Sequence, residues 1–150
     1  MKRKICAGVV LALIVAGAAY AQFKKPEQAI KYRKSVMFLI AQHFGRMGAV
    51  VKGATPYQKE DFARNAAVVD MLAGLPGEAF TMPGTDKGDT TMSAAVFQQP
   101  SKFNTAVGSF EAATTKLVKA ADSGSLDAAK AAFGAVAKNC KSCHTAFRVK

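Results

Sequence analysis

Apolar positions step by three and four residues through most of the chain, the spacing of helices that bury one face. Ile30, Met37, Ile40, Phe44, Met47 and Val51 form the first stripe. Lys25-Pro26-Glu27 opens it, with Pro26 where its missing N–H costs nothing. Gly53 stops it. Arg33 falls on the same stripe, and an arginine there needs an acidic partner. "TPYQ", Thr55 to Gln58, reads as a capping box with Pro56 at the first helical position. The helix after it buries Phe62, Ala66, Val69 and Leu72 and ends at "GLPG", residues 74–77. A third helix begins near Pro100 with Phe103, Val107, Phe110, Thr114 and Leu117, and "ADSGS" breaks it. Ser125 then caps a fourth, whose stripe is Leu126, Ala129, Phe133, Val136, Cys140, Cys143 and Phe147. No strand alternation or internal repeat competes. The pattern predicts an all-α, antiparallel up-down four-helix bundle. Between the second and third helices lies a long irregular stretch, "FTMPGTDKGDTTMSAAVFQQP", of the kind that is functional or covers something.

Residues 1–21 have a different character. "MKRK" is basic, "ICAGVVLALIVAGAA" is apolar, and Ala19-Tyr20-Ala21 is a small-x-small site. This reads as a cleaved secretory signal, the apolar run being short for a full span. The expected domains are therefore the signal, 1–21, and one bundle domain, 22–150. Cleavage leaves no membrane anchor and implies an exported, periplasmic protein. Cys6 leaves with the signal.

Removing residues 1–21 leaves 129 residues, with 18 basic against 10 acidic side chains, a formal +8. The lysines are spread along the chain, which describes a solvated surface. The same charge can steer the protein toward acidic partners or anionic lipid. Export and the absence of any binding motif argue against nucleic acid.

Two cysteines remain, in the closing segment "CKSCHTAFRVK". Cys140, Cys143 and His144 lie at i, i+3 and i+4, on one helical face. C-x-x-C-H is the spacing of c-type haem attachment. Each thiol forms a thioether at the porphyrin edge, and the next imidazole reaches the iron as an axial ligand. Two other chemistries compete. A thiol-disulfide oxidoreductase would use Cys140 and Cys143, but such thiols favour a helix N-terminus, whereas these sit near a C-terminus. Structural zinc wants four ligands, and the other histidine, His43, is distant in sequence.

The exported four-helix pattern with this motif on the last helix resembles cytochrome c′, the class II c-type cytochromes. The resemblance runs through "QFKKPEQAIKYRKSVMFLIAQHFGRMGAVVKG", "LPGEAFTMPGTDKGD" and "AAFGAVAKNCKSCHTAFR". It implies one covalent haem c on Cys140 and Cys143, with His144 on the iron. It places Met37 over the distal face. Two readings of Met37 follow: a lid over an open, high-spin five-coordinate iron, or the sixth ligand of a low-spin electron carrier. His43, six residues on, faces another side of the helix. The resemblance also implies that a haem propionate is Arg33's acidic partner, with Lys34 beside it. It further implies that Asp89 and Thr90 pack along the haem edge and that Arg148, one turn past His144, borders the proximal pocket. On position alone, Arg148 equally reads as a partner for the helix C-terminal dipole. Relatives carry a tryptophan after the loop, where this chain has Phe97.

The implied function is binding of NO and CO, single-electron transfer and protection from nitrosative stress, as a homodimer through the first two helices. An apolar lid offers no hydrogen-bond donor to O₂ and excludes anions by desolvation. The sequence shows no catalytic constellation, so an enzyme is not expected. It does not name the redox partner.

Overall fold

The computed structural model describes residues 22–149. The signal reading of residues 1–21 lies outside them. Among the described residues six helices follow one another: α1 Pro26–Val51, α2 Lys59–Ala73, α3 Gly77–Thr81, α4 Ala95–Gln98, α5 Pro100–Asp122 and α6 Leu126–Phe147. The four long ones form the antiparallel bundle that the periodicity predicts. Among the described residues, β pairing is limited to one isolated antiparallel bridge, Met92 with Arg148. No helix there is long and apolar enough to cross a membrane.

The stripes close into one main core. Val36, Ile40 and Met47 of α1 meet Phe62, Ala66, Val69 and Leu72 of α2, Leu117 and Ala121 of α5, and Ala129 and Val136 of α6. Each large apolar side chain buried here contributes about 1.5–3 kcal/mol. A smaller cluster of Met92, Val96, Phe103 and Phe147 packs where α6 ends. α6 lies closely along α5 and only sparsely along α1.

Helix boundaries follow local chemistry. Pro26 and Pro100 stand in the first turns of α1 and α5. The Ser125 side chain accepts from the Ala128 N–H at 3.2 Å. "TPYQ" behaves differently from its reading. α2 starts only at Lys59, and its N-cap Gln58 makes no side-chain capping bond. The segment stays outside the helix, with Tyr57 packed edge-on against Phe62 at 5.7 Å. Glu60 and Asp61 supply negative charge to the first turn of α2.

The long irregular stretch holds the short helix α4 and begins inside α3, which starts at Gly77, where a stop was expected. Gly84 has φ +83°, and a Cβ there would stand 3.3 Å from Cγ of Pro26. Glycine is thus needed both for the backbone angle and for the approach of this loop to the start of α1.

Candidate functional site

The last two turns of α6 carry the reactive side chains. Cys140 is half-buried against the main core, and Cys143 is half-buried against the smaller cluster. Both are unpaired thiols. Burial raises both pKa values. For Cys140 a backbone hydrogen bond lowers the value in opposition, and the charge of Cys143 adds to the rise. His144 stands at the exposed edge of the same face. Partial desolvation lowers its pKa, and the positive charge of Arg148 lowers it further.

The register of α1 against α6 identifies what faces these groups. Phe44 stacks on Phe133 with ring centroids 4.1 Å apart and planes 7° apart. The two helices run antiparallel, so seven residues back along α1 and seven forward along α6 cover the same height, about 10 Å. That step sets Met37 level with Cys140. A further turn sets Arg33 level with His144. Met37 is half-buried and packs on the same core as Cys140. Two unpaired thiols one turn apart, an adjacent imidazole biased toward its neutral form and an apolar thioether at the same height fit a haem held between α6 and α1.

Arg33 is held by protein groups of α3 and the loop that faces α1. It is 3% exposed. Nη1 donates to the Ala79 carbonyl at 3.0 Å, and Nη2 donates to the Thr85 carbonyl at 2.5 Å and the Thr90 hydroxyl at 2.6 Å. Its guanidinium also lies 4.9 Å from the ring centroid of Phe80. Carbonyls, a hydroxyl and an aromatic face thus surround the guanidinium. Burial lowers its pKa, while Asp86 raises it in opposition.

The neighbouring residues join the same loop. Lys34 Nζ pairs with Asp89 Oδ2 at 2.6 Å, with both side chains largely exposed. Arg33 with Lys34 and Asp89 with Thr90, read from the sequence as two pairs, are therefore one seam between α1 and the loop. Arg148 closes the turn that follows His144, as the cap of α6. α6 ends at Phe147, and Arg148 is an extended cap with φ −121° and ψ 132°. Its Nε donates to the Thr91 hydroxyl at 2.9 Å. In α4 the buried residue is Val96, while Phe97 is 38% exposed. His43 Nδ1 lies 2.8 Å from Asn65 Oδ1, between α1 and α2. Among the described residues no three His, Cys, Asp or Glu side chains converge as a metal cage.

Three participants escaped the sequence reading. Thr85 is fully buried, and its hydroxyl donates to the Met82 carbonyl at 2.8 Å. Phe80 supplies the ring beside Arg33. Thr91 receives Arg148. Only the Thr- and Gly-rich composition of the loop marked them.

A C-x-x-C-H segment closing the last helix of an antiparallel four-helix bundle defines a c-type cytochrome of the four-helix kind. The family model described as Cytochrome C' matches residues 28–148, and the chain belongs to that family. Its cofactor is one covalently bound haem c. A cytochrome c′ from Alcaligenes xylosoxydans xylosoxydans is 44% identical over 129 residues, covering 86% of this chain and 99% of the relative. The structure of cytochrome c prime from Shewanella frigidimarina is 36% identical with TM-score 0.83, covering 85% of this chain and 99% of that one. A nitric oxide complex of a leucine-to-alanine mutant of cytochrome c prime from Alcaligenes xylosoxidans is 43% identical with TM-score 0.80, covering 86% and 99%. A carbon monoxide-bound leucine-to-glycine variant from the same organism is likewise 43% identical with TM-score 0.80, covering 86% and 100%.

Proposed function

We propose that this chain binds NO and CO at a five-coordinate haem iron and passes single electrons. Cys140 and Cys143 would hold the haem by thioethers, His144 would bind its iron, and Met37 would cover the other face. When bound, the haem supplies the redox change and the coordination position. The observation that carries this reading is the α1–α6 register, which sets the apolar, half-buried Met37 opposite the thiols. A thioether lid excludes water and anions without donating a hydrogen bond, so neutral diatomics that need no donor are favoured. The gas complexes of the Alcaligenes relatives agree with this.

The raised thiol pKa values oppose a thiol-disulfide enzyme, which needs a stabilised thiolate. The proposed role is that of a binding and electron-transfer protein, protective under nitrosative stress, exported to the periplasm after loss of residues 1–21. Exposed Phe38 and Leu39 on α1 and Met71 on α2 support a homodimer through these two helices. The deciding experiment is the ferrous absorption spectrum with and without CO. A high-spin spectrum that converts fully on adding CO supports the reading. A low-spin ferrous spectrum indifferent to CO assigns Met37 to the iron and overturns it.

A further inference from the structure

A short strap of chain, Thr90 to Ser93, touches both helices that flank the haem site. At one end, the Thr90 hydroxyl accepts from Nη2 of the buried Arg33 at 2.6 Å and from the Met92 N–H at 3.0 Å. At the other end, the strap pairs with the residues that terminate α6. The Val149 N–H donates to the Thr91 carbonyl and the Ser93 N–H to the Phe147 carbonyl, each at 2.9 Å. Arg148 Nε donates to the Thr91 hydroxyl at 2.9 Å. The Arg148 N–H in turn donates to the His144 carbonyl at 3.1 Å, closing the last turn of α6.

A helix end with no such partner frays, because its last carbonyls have no donor within the helix. Here the end is pinned from outside, four residues after His144. Met92, buried in the smaller cluster with Phe147, keeps the strap in place.

We propose that Thr91 is a positioning residue for the axial ligand. It captures Arg148 and Val149, fixes the last turn of α6 and so holds the His144 imidazole in its orientation. Thr90 and Arg33 anchor the strap to α1, so the hold on the axial histidine depends on the helix that carries Met37. This rests on His144 being the iron ligand.

The test uses the haem-loaded protein and the variants Thr91→Val, which keeps the shape without the hydroxyl, and Thr91→Ser, which keeps the hydroxyl. Amide exchange at Ser93, Arg148 and Val149 should accelerate about threefold in Thr91→Val, as expected for one lost exposed bond to a charged group. The ferrous iron–histidine stretch in resonance Raman should shift to lower frequency. The nitrosyl form should show a larger fraction with the histidine bond broken. Thr91→Ser should restore all three. An iron–histidine stretch and a nitrosyl fraction unchanged in Thr91→Val would overturn the proposal, even if exchange at the strap accelerates. A high-spin ferrous parent protein without any iron–histidine band would instead remove the ligand reading on which it rests.

Discussion

Arg33 Nη2 lies 2.6 Å from the Thr90 hydroxyl, 57 residues away in the chain, and the guanidinium that makes this bond is almost wholly buried. It is a charged clamp between α1 and the loop. Removing it leaves the Ala79 and Thr85 carbonyls without this donor in a region of low dielectric. Arg33→Met should therefore destabilise the fold by about 2–4 kcal/mol. Arg33→Lys should recover only part of that, because one ammonium cannot span the acceptors of a planar fork. The midpoint of urea denaturation of the haem-loaded protein checks both, and an Arg33→Met midpoint equal to the parent's would contradict the clamp.

The neighbouring pair should behave in the opposite way. Lys34 and Asp89 are 2.6 Å apart, but their side chains are 52% and 93% exposed. Water and salt screen such a pair, and its ordering costs side-chain entropy. Lys34→Ala should change stability by no more than about 0.5 kcal/mol, with little difference between low and high salt. Two adjacent cations on one helix thus differ severalfold in their effect, and burial is the cause.

This contrast also measures what the sequence could reveal. Periodicity sufficed for the four long helices because their apolar stripes are continuous. Cys140, Cys143 and His144 were legible because their chemistry depends on spacing within one helix. Met37 was reached only through the family resemblance, since its stripe reads equally well as plain core. Arg33 stood out as a charge on an apolar face, but its partners were hidden. They are two main-chain carbonyls and the Thr90 hydroxyl, and a backbone carbonyl carries no residue-specific signal. The same holds for the Thr91–Arg148 contact, which depends on how the loop folds back onto the end of α6.

The Tyr57 hydroxyl is buried without a hydrogen-bond partner. Its ring packs on Phe62, so the apolar body is well used while the oxygen loses its hydration. Tyr57→Phe should therefore be neutral or stabilise by up to about 1 kcal/mol. A loss of more than that amount in thermal unfolding would mean that the hydroxyl has a partner in solution.

The pH response should follow His144. Its folded pKa lies below the ordinary 6.5, through desolvation and the charge of Arg148. The neutral ring is therefore favoured in the fold. Its stabilising contribution is complete above the unfolded value and is lost as pH falls through the folded one. In the haem-loaded protein the proton competes with the iron for this ring; Arg148→Gln removes the positive charge that disfavours the proton, so acid loss of the native ferric spectrum should begin at higher pH. Arg148→Lys keeps the charge but gives up the Nε bond to Thr91, and its acid midpoint should stay near that of the parent. A shift of equal size in both variants would assign the effect to the lost bond.

Met37 offers the sharpest separation of lid from ligand. The side chain is half-buried, so its truncation removes packing without emptying the centre of the core. As a lid, it must move aside before CO reaches the iron. Displacing it adds to the association barrier, and a barrier contribution of about 1.4 kcal/mol corresponds to about tenfold in rate. Met37→Ala should then speed CO association by roughly that factor, with the ferrous spectrum high-spin before and after substitution. It should also lower stability by about 2 kcal/mol, at the small end of large-to-alanine costs because the site is only partly enclosed. As a ligand, Met37 would give a different pattern: a low-spin parent converted to high-spin by the substitution, with CO uptake appearing only in the variant. Stopped-flow CO mixing alongside the two static spectra distinguishes these outcomes. An unchanged association rate in a high-spin parent would show that Met37 neither binds nor covers the iron.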